Sequence, residues 1–177
     1  MKTKAAVLVK LKAPLEIMEL TIPKLKQGQV LVEIAYSGIC RSQWNEIQGY
    51  KGADPYLPHT LGHEGSGRVL EIGEGVTKVK NGDHVVLTWI QSQGLNGMGA
   101  VYTGDLKNVN SGPISTFLDK AVISENRLVT IPKEMPLREA ALLGCAIPTG
   151  AGVVLNQMRP RKGMSLAVLG AGGLGLS

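Results

Sequence analysis

The sequence predicts a mainly β chain with some helix, ending on a strand and a glycine loop that open an α/β unit. Three observations carry this. Glycine is abundant at 23 residues while aromatics make up only 4%, which suits turn-rich β structure or the tight loops of an α/β domain. The first two-thirds set short apolar runs between turn residues. After Pro136 the character changes to alanine-rich helical segments, and the chain closes on Met164–Leu169 and Gly170-Ala171-Gly172-Gly173-Leu174-Gly175.

Taken in order, Ala5–Val9 and Val30–Ala35 are rich in apolar and β-branched residues and read as strands. Leu15–Leu20 alternates around Leu15 and Ile17, and Pro23 and Gly28 mark a loop after it. Gly67–Ile72 is a strand entering the turn Gly73-Glu74-Gly75. Asn81-Gly82-Asp83 signals another turn and feeds His84–Trp89. From Ile90 to Gly112 the composition shifts to Gly, Gln, Asn and Ser, which predicts one long loop of functional type. Thr116–Ser124 and Arg127–Ile131 close the β part, and Pro132 ends it. Leu137–Leu143 reads as a helix interrupted by Pro148, with Thr149-Gly150 opening a second through Val153, Val154 and Leu155. Met164–Leu169 reads as a buried strand. The boundary falls between residues 1–135 and 136–177.

At 177 residues the chain supports one domain, or one domain and part of another. With 44% hydrophobic and 19% charged residues it is expected to pack a core. The net charge of +5 raises a nucleic-acid partner. The lysines are spaced, however: Lys10/Lys12, Lys24/Lys26 and Lys78/Lys80 each flank one apolar residue, as on an outward strand face. Only Arg159-Pro160-Arg161-Lys162 clusters, and no aromatic platform accompanies it, so it reads as a solvated turn. No apolar run approaches the ~20 residues that span a bilayer, and the N-terminal apolar run is too short for a signal peptide. The expectation is neither a nucleic-acid nor a membrane partner. Two cysteines make no disulfide framework, which points to a reducing, cytoplasmic setting.

Three constellations carry chemistry. Gly170, Gly172 and Gly175 form a Gly-x-Gly-x-x-Gly pattern directly after the predicted strand. Such glycines permit a tight turn, close approach to a pyrophosphate, and close helix–strand packing, as in a Rossmann unit. The acidic residue that binds the ribose lies about 20 residues beyond such a motif, past the end of this sequence. The expectation is that these residues are the N-terminal part of a longer protein. Second, Cys40, His63 and Cys145 are three ligands of the kind Zn²⁺ takes, with a fourth position left for water or substrate. Their separations of 23 and 82 residues fit no generic zinc pattern. By spacing alone the reading as two small apolar side chains and a surface histidine is the favoured one. Third, Gly62-His63-Glu64-Gly65-Ser66-Gly67 frees the backbone around His63, with Glu64 placed to orient a ligand, or is a glycine-rich turn before a strand.

In chain order stand Gly38-Ile39-Cys40-Arg41-Ser42, Gly62-His63-Glu64-Gly65-Ser66-Gly67-Arg68-Val69, Gly82-Asp83-His84-Val85, Gly144-Cys145 and the Gly170–Gly175 fingerprint. Together, from about residue 4 to 177, they resemble the zinc-dependent alcohol dehydrogenases of the medium-chain dehydrogenase/reductase superfamily. The resemblance implies a GroES-like β-barrel catalytic domain over 1–135. Residues 136–177 would supply linking helices and the first strand and glycine loop of an incomplete, dinucleotide-binding Rossmann domain.

The resemblance also implies roles. Cys40, His63 and Cys145 match the ligands of one catalytic Zn²⁺. Glu64 matches an acid that can approach the metal, and Ser42 the hydroxyl that starts the proton relay. Arg41 matches a cofactor-pyrophosphate contact, and Thr149 lies near the nicotinamide. Gly170, Gly172, Gly173, Leu174 and Gly175 hold the NAD or NADP of the full-length protein. Trp89 shapes the substrate pocket, with Phe117 a second candidate. The implied partner is a small-molecule alcohol or aldehyde, and the full-length protein is expected to be a homo-oligomer.

Three positions depart from many relatives. Gln43 stands where an Asp supports the zinc's surroundings, and Asn45 where a relay His stands. Residues 88–115 contain no Cys, which excludes a structural zinc. The expected activity is hydride transfer between an alcohol and NAD(P), with this portion inactive by itself. The competing expectations are a zinc-independent medium-chain reductase and a non-catalytic association module, the latter motivated by unpartnered apolar segments near the C-terminus.

Overall fold

A computed structural model describes residues 1–177. Strands β1 (Lys2–Leu8), β2 (Glu16–Thr21) and β3 (Gln29–Ser37) precede helix α1 (Arg41–Ile47). Strands β4 (His59–Thr60), β5 (Glu64–Ile72) and β6 (His84–Thr88) follow, then β7 (Val101–Gly104), β8 (Lys107–Asn110), β9 (Lys120–Ser124) and β10 (Leu128–Ile131). Helix α2 (Leu137–Ala140) runs into a 3₁₀ turn at Ala141–Gly144, then α3 (Ala146–Gly152), a π-helical segment (Val153–Met158) and α4 (Gly173–Leu176). No single helix is long and apolar enough to cross a membrane.

Two sheets result. Strands β1, β2, β7, β8 and β4 close into a barrel, and β10, β6, β5, β3 and β9 form a five-stranded sheet in that order. Strand β1 shows why the chain folds this way. Thr3, Ala5 and Val7 are buried while Lys2 and Lys4 point out, the period-two pattern of a half-buried strand. Its register against β2 runs from Lys2 opposite Thr21 to Val7 opposite Glu16. A bridge between Ala5 and Leu118 ties β1 to the segment that leads into β9. The core between them is one cluster of 20 buried residues, including Val7, Leu20, Val32, Leu87, Tyr102 and Ile123.

The structure corrects several expected elements. The stretch from Ile90 to Gly112 is not one loop: it holds the antiparallel hairpin β7–β8. That hairpin exists because Tyr102 is fully buried in the barrel, where its hydroxyl accepts the Val122 N–H at 2.8 Å. Burial pushes the Tyr102 phenol up to about 12. Strand β5 begins at Glu64, so Gly65 and Gly67 lie inside the strand rather than in a turn before it. A Cβ on Gly67 would strike the Glu33 carbonyl across the irregular β3–β5 pairing. Residues 116 and 117 precede β9 and donate their N–H groups to the Leu61 carbonyl.

Pro148 does not break a helix; it is the third residue of α3, in the first turn, where an N–H has no helical partner to lose. The break falls at Cys145, whose φ of −151° and ψ of −59° are not helical. Met164–Leu169 forms no strand. No neighbouring strand lies alongside to pair its backbone groups, and Leu169 is 99% exposed.

Candidate metal centre and substrate cleft

Three separate elements deliver the expected ligands. Cys40 precedes α1, His63 precedes β5, and Cys145 joins the 3₁₀ turn to α3. Their ligand atoms all lie within 4.8 Å of one another. The three side chains that the motif order singled out thus converge in space.

Each ligand is held by identifiable neighbours. Gly62 takes a φ of +96° just before His63, and a Cβ there would strike Thr116 and Phe117, so glycine alone fits that corner. Gly144 packs so tightly that a Cβ would meet the Leu87 carbonyl and Glu64. The Gly144 carbonyl accepts from the Thr88 hydroxyl at 2.7 Å. The Ser66 hydroxyl donates to the Leu137 carbonyl at 2.5 Å. Strands β5 and β6 thereby clamp the turn that presents Cys145. Glu64 is buried, and its carboxyl accepts the Ala146 N–H at 3.1 Å. It does not line the cleft; it fixes the start of α3. Burial pushes its carboxyl above the ordinary range, against the pull of the Ala146 and Cys145 N–H groups.

The donors suit a borderline cation. Burial pushes the Cys145 thiol up to about 11, with Thr149 opposing and Cys40 and Glu64 adding to the rise. Burial, with a smaller push from the Lys51 ammonium, holds His63 below the ordinary imidazole value, so its ring is neutral at pH 7. His63 Nδ1 faces the Gln43 side-chain amide, with the Ser42 hydroxyl at 3.5 Å. Its Nε2 is buried and has no hydrogen-bond partner. An orphaned imidazole nitrogen beside two thiols is the arrangement a tetrahedral metal completes.

Cys40, Ser42, His63, Trp89 and Cys145 line one cleft of about 310 Å³. Trp89 is half-exposed there, and its carbonyl accepts from the Arg127 guanidinium. Thr149 Oγ1 lies 3.9 Å from Cys145 Sγ. Arg41 is exposed at the first position of α1. Phe117 is not brought to this cleft; it lines a separate groove beside Ala5 and Tyr36. Gly170, Gly172, Gly173, Leu174 and Gly175 lie on the surface around α4, which packs against α3 at Gly150.

Two features escaped the sequence. Gln43 is the third residue of α1, and its side chain accepts the Cys40 N–H at 3.0 Å. A Gln three residues past a cap is the available signal, obscured because the cap is Cys rather than Ser or Thr. The second is Glu46, Asp54 and His59, which also converge within 4.8 Å. His59 Nε2 meets Asp54 Oδ2 at 2.9 Å, and no local pattern announces that pairing.

A closed barrel beside a five-stranded sheet, with two thiols and an imidazole converging behind an open cleft, has the architecture of a GroES-like domain. Residues 26–133 match the family model described as the alcohol dehydrogenase GroES-like domain, and the chain belongs to this family. It is 35% identical over 204 residues to the S-(hydroxymethyl)glutathione dehydrogenase of Photobacterium damsela subsp. piscicida, covering 100% of this chain and 54% of that one. The crystal structure of an alcohol dehydrogenase zinc-binding domain protein from Burkholderia ambifaria superposes with a TM-score of 0.87 at 30% identity, over 99% of this chain and 54% of that one. Benzyl alcohol dehydrogenase from Acinetobacter calcoaceticus gives 0.83 at 30% identity over the same shares. The chain spans about half the length of the curated relatives it matches.

Proposed function

We propose that this chain forms the catalytic-domain part of a zinc-dependent, NAD(P)-linked alcohol dehydrogenase, interconverting an alcohol with an aldehyde or ketone. The convergence of Cys40, His63 and Cys145 within 4.8 Å carries the reading. It favours a zinc enzyme over a zinc-independent reductase, which has no use for a preserved ligand set. Residues 1–135 are the catalytic domain, and 136–177 are linking helices and the glycine loop of the dinucleotide-binding domain.

Cys40, His63 and Cys145 would hold one Zn²⁺, which supplies Lewis acidity that lowers the pKa of the alcohol hydroxyl. The nicotinamide supplies the hydride acceptor. The remaining chemistry belongs to this chain. Ser42, in the cleft with the ligand set, accepts the substrate hydroxyl proton by hydrogen bond and passes it on. Asn45 offers no titratable group beyond it, so the proton leaves through solvent. Trp89 forms an apolar wall of the cleft and orients the carbinol carbon. Glu64 acts through α3, holding Cys145 in place. Arg41 and Gly170–Gly175 would hold the cofactor pyrophosphate, and Thr149 would contact the nicotinamide.

Gly170–Gly175 and Met164–Leu169 lack the strands that would form an adenine cleft around them. Residues 1–177 alone therefore bind NAD(P) weakly and turn nothing over. The full-length protein is a homo-oligomer in a reducing cytoplasm. A second reading has its own observation: Leu166, Val168, Leu169 and Leu176 are each exposed, apolar area that suits association with another polypeptide.

The test is zinc content by elemental analysis of protein purified without chelators. About one zinc per chain, lost in Cys40→Ser, His63→Ala and Cys145→Ser, supports the reading. Zinc content unaffected by those substitutions overturns it. A well-behaved monomer that binds no apolar dye counts against the association surface.

A further inference from the structure

Gln43 is only 4% exposed and is fastened at both ends of its amide. The Cys40 N–H can only donate, and it reaches Gln43 Oε1 at 3.0 Å. That contact decides which end of the amide is which, so the Gln43 NH₂ group faces His63 Nδ1. An NH₂ group donates, hence Nδ1 accepts. The single proton of the neutral ring then sits on Nε2, the buried nitrogen without a partner.

Nε2 is also the nitrogen left free to join the two thiols. A ligating nitrogen presents a lone pair, which moves the ring proton to Nδ1. Nδ1–H would then confront the Gln43 NH₂, donor against donor. Gln43 has one acceptor oxygen, and two donors need it: the Cys40 N–H and the His63 Nδ1–H. Turning the amide would satisfy His63 but strip the cap from α1 at Cys40, itself a ligand. The other acceptor within reach is the Ser42 hydroxyl, at 3.5 Å. A carboxylate at position 43 would accept from both donors at once.

We propose that Gln43 is a positioning residue that holds metal-free His63 as the Nε2–H tautomer and so weakens metal binding at the Cys40–His63–Cys145 set. The affinity half rests on the zinc reading above; the tautomer half stands without it. The test is a long-range ¹H–¹⁵N correlation spectrum of the metal-free, reduced chain, with His63 assigned by its loss in His63→Asn. The expected wild-type pattern is a protonated Nε2 and an unprotonated Nδ1, and Gln43→Glu should invert it. Zinc competition against a chromophoric chelator should show Gln43→Glu binding about 10–100-fold more tightly, with Gln43→Asp as the second variant.

A wild-type His63 protonated on Nδ1 overturns the proposal without any variant. Inversion with unchanged zinc affinity in both variants overturns its affinity half. Absence of zinc binding in every protein, with Nε2–H seen in the wild type, supports the tautomer half and sinks the zinc reading instead.

Discussion

The Thr88 hydroxyl donates to the Gly144 carbonyl at 2.7 Å, one residue before Cys145. A strand of the central sheet thus grips the backbone that presents a thiol of the metal set. Thr88→Val keeps the shape and removes the donor, leaving a buried carbonyl unpaired. We expect a loss of about 1–3 kcal/mol in denaturant unfolding and reduced zinc occupancy. Unchanged stability would mean that the Gly144 carbonyl has another partner.

Zinc loading should release protons. The Cys145 thiol sits near 11 and is protonated at pH 7, yet it ligates only as thiolate. His63 is already neutral there, since its value is depressed, and releases none. Apparent zinc affinity should therefore rise with pH through the neutral range. Calorimetry in buffers of differing ionisation enthalpy reads the released protons, and a pH-independent affinity would contradict this account.

Glu125 fastens two loops to the sheet. Its carboxylate accepts the Thr77, Lys78 and Leu95 N–H groups at 2.6, 2.7 and 2.5 Å. Burial would raise its pKa, but these donors and the Lys78 ammonium outweigh burial and hold it below the ordinary glutamate value. A depressed carboxyl stabilises the fold fully above its unfolded pKa and stops doing so as pH falls through the folded one. Glu125→Gln should cost about 1.5–3 kcal/mol at pH 7. The gap to wild type should shrink in unfolding experiments carried below the ordinary glutamate range.

Within the core, Leu87 is fully buried among the clustered side chains. Leu87→Ala should cost about 2–5 kcal/mol. Its carbonyl also abuts Gly144, so the same variant should show weaker zinc retention. Thermal unfolding with and without added zinc separates the two effects.

A strand with one wet face, such as β1, was legible because its alternation is local, whereas β2 turns Leu20 inward and leaves Ile17 exposed, the opposite face from the one the Leu15/Ile17 alternation marked. The convergence of Cys40, His63 and Cys145 was foreshadowed only by an ordered series of motifs, since Cys145 reaches Cys40 by tertiary packing alone. Hairpin β7–β8 was hidden because its strands are four residues long and mostly polar, with one deep anchor in each, Tyr102 and Val109. Helix α1 is a single seven-residue element whose Gln43 cap answers to a cysteine. Met164–Leu169 misled in the opposite sense. Its residues favour a strand, but a strand also needs neighbours, and propensity says nothing of those.

The absence of any strand beyond Met158 also sets where the molecule is cut. Arg161 and Lys162 are exposed on a turn outside both sheets, whereas Arg159 is shielded from trypsin by the following Pro160. Limited digestion should nick after Arg161 or Lys162 first and leave a resistant body ending there. That body keeps Cys40, His63 and Cys145 on one polypeptide while shedding the glycine loop, so a single enzymatic cut should divide the proposed metal ligands from the proposed nucleotide loop.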